Sequence, residues 1–177
     1  MIKPKNNIGI LGGTFDPPHK GHLKISKISI NRLKLFKLFW VITKRNPFKK
    51  KPFFSVEDRV KKSKKLTQNV KKIQVCYFDQ LIRSSNTVNL IKYFKRKNKN
   101  SNIFLIIGSD NLINFHRWKS WKYIIKTTKI VVFSRKDYDA KSKKSVIVRS
   151  VGRKKIKFIN NKKINISSSK IRKNYLS

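Results

Sequence analysis

The stretch Ile8-Gly9-Ile10-Leu11-Gly12-Gly13-Thr14-Phe15-Asp16-Pro17-Pro18-His19-Lys20-Gly21-His22 decides the fold. A short apolar run that stops at a glycine pair reads as a buried strand ending in a sharp turn. Pro17-Pro18 stiffens the loop, and His19-Lys20-Gly21-His22 opens a helix. Beyond it Leu23, Ile25, Ile28, Ile30, Leu33 and Leu35 roughly follow helical spacing. The free amides and dipole of a helix start favour an anion. Two imidazoles three residues apart at that spot suit phosphate oxygens. A metal pair or two solvated histidines is the weaker alternative, because no Cys or acidic cluster lies nearby to complete a metal site.

The rest of the chain repeats the alternation. Strands are expected at residues 38–42, 70–78, 103–107 and 130–133, with a late one near 156–159. Between them, Ser55 before Glu57-Asp58 looks like an N-cap with acids in the first turn of a helix running to about Leu66. Val88, Leu90, Ile91 and Phe94 form the apolar side of a helix over 87–94, and Gly108-Ser109-Asp110 opens another. The Lys- and Ser-rich residues 136–150 read as an exposed loop, and Ser167-Ser168-Ser169 caps a short C-terminal helix. Buried strands alternating with helices imply an α/β fold. We expect a Rossmann-like, doubly wound parallel sheet of about five strands with helices on both faces, in one domain over residues 1–177. Ligands of such sheets bind beyond the carboxyl ends of the strands, at the topological switch point.

The charge is extreme: 46 Lys plus Arg against 7 Asp plus Glu, a net +39. A nucleic-acid or anionic-membrane partner is one explanation. Compositional drift is the better one. Lys outnumbers Arg 36 to 10, beside 23 Ile, 16 Asn and the single alanine Ala140, the pattern of an AT-rich genome. A dedicated nucleic-acid binder would concentrate Arg, whose fork matches phosphate and base edges. Nucleic acid is therefore expected to bind only nonspecifically. The single cysteine, Cys76, excludes an internal disulfide framework and reads as a buried inert thiol. The N-terminus lacks the apolar stretch of a secretory signal, and no run has the length of a membrane span, so a cytosolic protein is expected.

Against that background the glycines are concentrated. Five of the six lie in or beside residues 9–22 and 108–110, together with two of the seven acids, Asp16 and Asp110, and two of the three histidines. These two segments resemble a known family. Gly13-Thr14-Phe15-Asp16-Pro17-Pro18-His19-Lys20-Gly21-His22-Leu23 is similar to the signature of the nucleotidylyltransferase superfamily, with its His-x-Gly-His core. Ile166-Ser167-Ser168-Ser169-Lys170-Ile171-Arg172 is similar to its second signature, with Ser where the family has Thr. Within the superfamily the resemblance is closest to bacterial nicotinate-nucleotide adenylyltransferases. It is carried by Trp40 to Thr43, Asn46-Pro47-Phe48-Lys49, Ser85-Asn86-Thr87-Val88, Gly108-Ser109-Asp110-Asn111-Leu112 and Phe115-His116-Arg117-Trp118. The chain departs at Asn86, where the family has Tyr. It departs again after Phe133-Ser134-Arg135-Lys136, which lacks the usual Pro-Gly.

The resemblance implies transfer of the adenylyl group of ATP to nicotinate mononucleotide, in line and with no covalent enzyme intermediate. Magnesium would be carried on the ATP phosphates. It implies His19 and His22 as the catalytic pair. Gly12, Gly13, Thr14, Phe15, Gly21, Gly108, Asp110, Ile166, Ser168, Ser169 and Arg172 would bind ATP. Asn46, Lys49, Thr87, Trp118, Lys119 and Arg135 would bind the mononucleotide. Assembly into a homo-oligomer is compatible with it. Pantetheine-phosphate adenylyltransferase shares both signatures and is the nearest alternative, disfavoured by Trp118, Trp121 and the Asn46-Pro47-Phe48-Lys49 segment. A basic nucleic-acid-binding module is the alternative from another class.

Overall fold

A computed structural model describes residues 6–45, 51–79, 82, 84–135, 138–152, 155–160, 167–173 and 175. Its strands are β1 (Asn7–Gly13), β2 (Lys37–Ile42), β3 (Ile73–Tyr77), β4 (Asn102–Gly108), β5 (Lys129–Phe133) and β6 (Ile156–Ile159). They form a six-stranded sheet in the order β3-β2-β1-β4-β5-β6, with helices on both sides: an α/β, Rossmann-like fold. The sheet has six strands rather than about five, because the late strand pairs in parallel with β5, Ile130 opposite Ile156 and Phe133 opposite Ile159. The inner strands β4 and β5 read as apolar runs because both faces are covered. Ile103 to Ile107 of β4 and Ile130 to Phe133 of β5 are all buried.

The chain divides into two compact units, Leu11–Ser85 with Ile164–Ser177, and Met1–Ile10 with Asn86–Lys163. In the first, α1 (Lys20–Arg32) and α2 (Val56–Thr67) accompany β2 and β3, and α8 (Ser168–Lys173) closes the chain. Of the apolar row expected along α1, Ile30 and, just past the helix, Leu33 and Leu35 are buried, while Leu23, Ile25 and Ile28 are only half-buried. The buried residues of α1 itself are Ser26, Ser29 and Ile30. Both serines donate to a carbonyl one turn back, Ser26 to His22 and Ser29 to Ile25, each at 2.8 Å, which removes the cost of burying a hydroxyl. The buried row of α2 is also polar: Arg59, Ser63 and Thr67 at intervals of four.

In the second unit, α3 (Thr87–Lys97) buries Val88, Leu90, Ile91 and Phe94, the expected face. After β4 come α4 (Ser109–Ile113), a 3-10 turn at Phe115–Arg117 and α5 (Trp121–Thr127). The region expected as an exposed loop is instead two short helices, α6 (Asp139–Lys143) and α7 (Val146–Val151). They bury Ser142, Ser145, Ile147 and Val148. The buried Ile147-Val148 pair outweighs the lysines around it, which stay at the surface on their flexible stems. No described helix is long and apolar enough to cross a membrane.

Candidate active site

In the first unit the site is built on the turn from β1 into α1. Gly12 and Gly13 are the last residues of β1. A Cβ on Gly12 would meet nothing within 4 Å, so open space lies over this strand end. Phe15 adopts a left-handed φ of 48° and is buried. Its ring stacks on Trp40 at 4.8 Å and 22°, and touches His22 at 4.8 Å. Trp40 is itself anchored, donating its indole N–H to Ser26 Oγ at 2.7 Å.

His19 and His22 cap α1 reciprocally. The Gly21 N–H donates to His19 Nδ1 at 3.1 Å, and the His19 N–H donates to His22 Nδ1 at 3.3 Å. This is a capping box in which imidazoles replace the usual hydroxyl and carboxylate. A nitrogen that accepts carries no proton, so the one proton of each neutral ring sits on Nε2. The pair is thus two oriented N–H donors with ring centroids 3.9 Å apart.

The loop between is held from several sides. The Asp16 carboxylate is 4% exposed and accepts from the Phe53 N–H (2.8 Å) and the Phe54 N–H (2.9 Å). Arg172 of α8 donates to the Asp16 carbonyl at 2.6 Å and pairs with its carboxylate at 3.3 Å. The Ser168 hydroxyl donates to the Pro17 carbonyl at 2.9 Å, and Ser169 accepts from Arg172 at 3.2 Å. The two signature strings, at opposite ends of the chain, therefore meet in one hydrogen-bonded cluster. Ser167 does cap the last helix, accepting from the Lys170 N–H. Asn46, Lys49 and Ile166 lie outside the described residues.

Sequence reading missed Arg59. It is 1% exposed, and all its described partners are backbone carbonyls of the same unit. Burial pushes its pKa down, while charged neighbours, Asp16 foremost, push it up. The only available signal was compositional: one of ten arginines in a chain that otherwise uses lysine.

In the second unit the end of β4 carries Gly108, Asp110 and Arg135 together. Arg135 Nη1 pairs with Asp110 Oδ2 at 3.3 Å, and the Arg135 N–H donates to Ser109 Oγ at 2.9 Å. A Cβ on Gly108 would run into Asp110 Oδ1 and stand 2.7 Å from Arg135 Nε, so a larger residue there would have to displace that pair of side chains. Asp110 Oδ1 is buried with no hydrogen-bond partner among the described residues, and so is His116 Nδ1. Thr87 is the first residue of α3, whose N-cap, Asn86, makes no side-chain capping bond to the helix. Trp118 follows the 3-10 turn, half-buried, and stacks on the buried Phe115 at 4.7 Å and 23°. Lys119 beside it is exposed.

A family model described as cytidylyltransferase-like matches residues 10–174. The chain belongs to the cytidylyltransferase-like family. This cytidylyltransferase-like chain is 47% identical to a Pelagibacter ubique protein named "Probable nicotinate-nucleotide adenylyltransferase", over 98% of this chain and 99% of the relative. An Agrobacterium fabrum protein of the same name is 37% identical over 72% of this chain and 68% of its own. Among solved structures, Plasmodium falciparum nicotinic acid mononucleotide adenylyltransferase complexed with NaAD aligns at a TM-score of 0.73. That alignment covers 95% of this chain and 83% of the other at 23% identity, a likeness of fold. The chain is a nucleotidyltransferase.

Proposed function

We propose that the enzyme joins nicotinate mononucleotide to the adenylyl group of ATP, giving nicotinate adenine dinucleotide and pyrophosphate. An oxygen of the mononucleotide 5′-phosphate forms the new bond to the α-phosphorus. The bond from that phosphorus to the bridging oxygen breaks in line, and pyrophosphate carries the electrons away. The attacking phosphate is already ionised, so no base or protein nucleophile is required. Positioning and charge stabilisation supply the rate. Magnesium arrives on the ATP phosphates.

The observation that carries this reading is the reciprocal capping of His19 and His22. Transition-state charge on phosphate oxygens calls for donors fixed in advance, and both Nε2–H groups are fixed by the backbone. Support for the remaining roles is of three kinds. The open space over Gly12 suits close approach of a phosphate. Arg172 retains donors beyond those bonded to Asp16 and Ser169. The unpartnered Asp110 Oδ1 is an acceptor suited to a ribose hydroxyl. Trp118, its ring braced by Phe115, offers a stacking surface for the pyridine, and backbone amides near Thr87 and Lys119 suit its carboxylate.

The test is to supply ATP, magnesium and each acceptor separately, measuring pyrophosphate and the adenylylated product. Nicotinate mononucleotide should give both. Product from phosphopantetheine alone would replace the acceptor. Salt-sensitive nucleic-acid binding with no pyrophosphate would remove the enzymatic reading.

A further inference from the structure

Arg59 is bound by no substrate role above, yet few side chains in the molecule are so completely engaged. Its Nε donates to the carbonyls of Phe54 and Ser55, each at 3.1 Å. Its Nη1 donates to the Thr14 carbonyl at 2.6 Å and the Thr43 carbonyl at 2.8 Å, and Nη2 reaches the Lys44 carbonyl at 3.2 Å. One buried guanidinium thus ties the segment after β1 to the segment after β2 and to the start of its own helix, α2. Burying a cation is costly when a neutral residue would fill the same space, so a purely packing role is a poor explanation.

The Thr14 contact is the telling one. In a planar trans peptide the carbonyl and the following N–H point in opposite directions. Holding the Thr14 carbonyl therefore turns the Phe15 N–H away from Arg59. It also holds Phe15 at its left-handed φ of 48°, a conformation rare for a bulky side chain that persists only where its surroundings impose it. Phe15 is the residue that packs against His22.

We propose that Arg59 is a positioning residue for adenylyl transfer. Through its bond to the Thr14 carbonyl it sets the Thr14–Phe15 peptide, and through the Phe15 ring it braces the face of His22, whose Nδ1 the His19 N–H holds. This rests on the adenylyl-transfer reading above. Lysine cannot substitute: a single ammonium has three donors at one point, not a fork spanning three segments.

The experiment compares the full-length wild type, Arg59→Lys and Arg59→Met, with Lys61→Ala as an exposed control on the same helix. Steady-state kinetics, thermal unfolding and amide exchange over residues 12–17 are measured on each. In Arg59→Lys, kcat should fall about 100-fold, the cost of a small misplacement at the reacting centre. KM for ATP should stay within about threefold, and exchange over residues 12–17 should speed up at least about tenfold while that of α3 and β4 is unchanged. Arg59→Met should do the same or more, and Lys61→Ala should match the wild type. Unchanged kcat in folded Arg59→Lys would overturn the proposal. So would kcat, KM and melting temperature declining together with exchange raised throughout, which is the mark of a merely structural role. If the wild type itself makes no dinucleotide, the reading of function fails. Exchange then decides whether Arg59 orders the loop: faster over residues 12–17 supports it, unchanged overturns it.

Discussion

Each unit of this enzyme stacks a phenylalanine on a tryptophan, in nearly the same geometry. Phe15 and Trp40 lie 4.8 Å apart at 22°, and Phe115 and Trp118 lie 4.7 Å apart at 23°. The surroundings differ. Trp40 is fully buried and its indole N–H is bonded to Ser26, so that pair is a floor beneath the histidines. Trp118 is half-exposed on a turn, so that pair presents a face. The charged groups follow the same division, although Ser63 Oγ of the first unit is also buried with no partner among the described residues. In the first unit Asp16 and Arg59 are saturated with backbone partners. In the second, Asp110 Oδ1 and His116 Nδ1 are buried with none among the described residues. A set of donors fixed in advance suits the stabilisation of developing charge. Unanswered polar atoms and a half-exposed ring suit the selection of a ligand. On the proposed function, the chemistry would fall to the first unit and the choice of nucleotide to the second.

The largest expected effect comes from His22→Ala. Removing one preorganised donor should lower kcat about 10²–10³-fold. KM for the mononucleotide should change little, and the circular-dichroism spectrum should stay that of the wild type. A loss confined to KM would move His22 out of the chemistry. Next is Asp16→Ala, which takes the buried carboxylate away from the Phe53 and Phe54 N–H groups and removes the partner of Arg172. Stability in urea should drop by about 3 kcal/mol. A change under 1 kcal/mol would show that the loop does not depend on this carboxylate.

Trp118→Ala should raise KM for the mononucleotide roughly tenfold, the loss of about one stacking interaction, with KM for ATP nearly unchanged. Equal effects on both substrates would erase the distinction between the two stacks. The smallest effect concerns Cys76, expected to be buried but only half-buried in the structure, whose partial burial pushes its thiol up to about 11. Its thiolate is scarce at pH 8, so alkylation by iodoacetamide should be at least about 50-fold slower than for a free cysteine. It should rise steeply as pH climbs toward that value, with activity retained after modification is blocked.

How much of this was legible in the sequence follows the same physics. The strands were plain because unbroken apolar runs such as Ile103 to Ile107 have one stable use in a covered sheet. The place of the two histidines at the start of α1 was plain because an apolar run ending in a glycine pair leads there into a helix. Three features were hidden. The stripes of α1 and α2 bury Ser26, Ser29, Arg59 and Ser63, and hydropathy spacing is blind to a polar face: Ser26, Ser29 and Arg59 are satisfied by backbone carbonyls, while Ser63 Oγ has no partner among the described residues. Helices α6 and α7 were masked by lysines, because residues this frequent say little about local burial. Arg59 was hidden because its partners are carbonyls of segments distant in sequence, which no spacing rule reveals.

The most direct test of the division is a competition. Wild type and His22→Ala are each given ATP, magnesium and an equimolar mixture of nicotinate mononucleotide and its amide counterpart, and the two dinucleotides are quantified. Backbone donors hold an ionised carboxylate more strongly than a neutral carboxamide, whose own NH₂ leaves them unpaired. The account predicts that the wild type makes the acid dinucleotide at least about 100-fold in excess. It predicts that His22→Ala makes far less of both in the same proportion. Comparable amounts of the two from the wild type, or a proportion altered by His22→Ala, would contradict it.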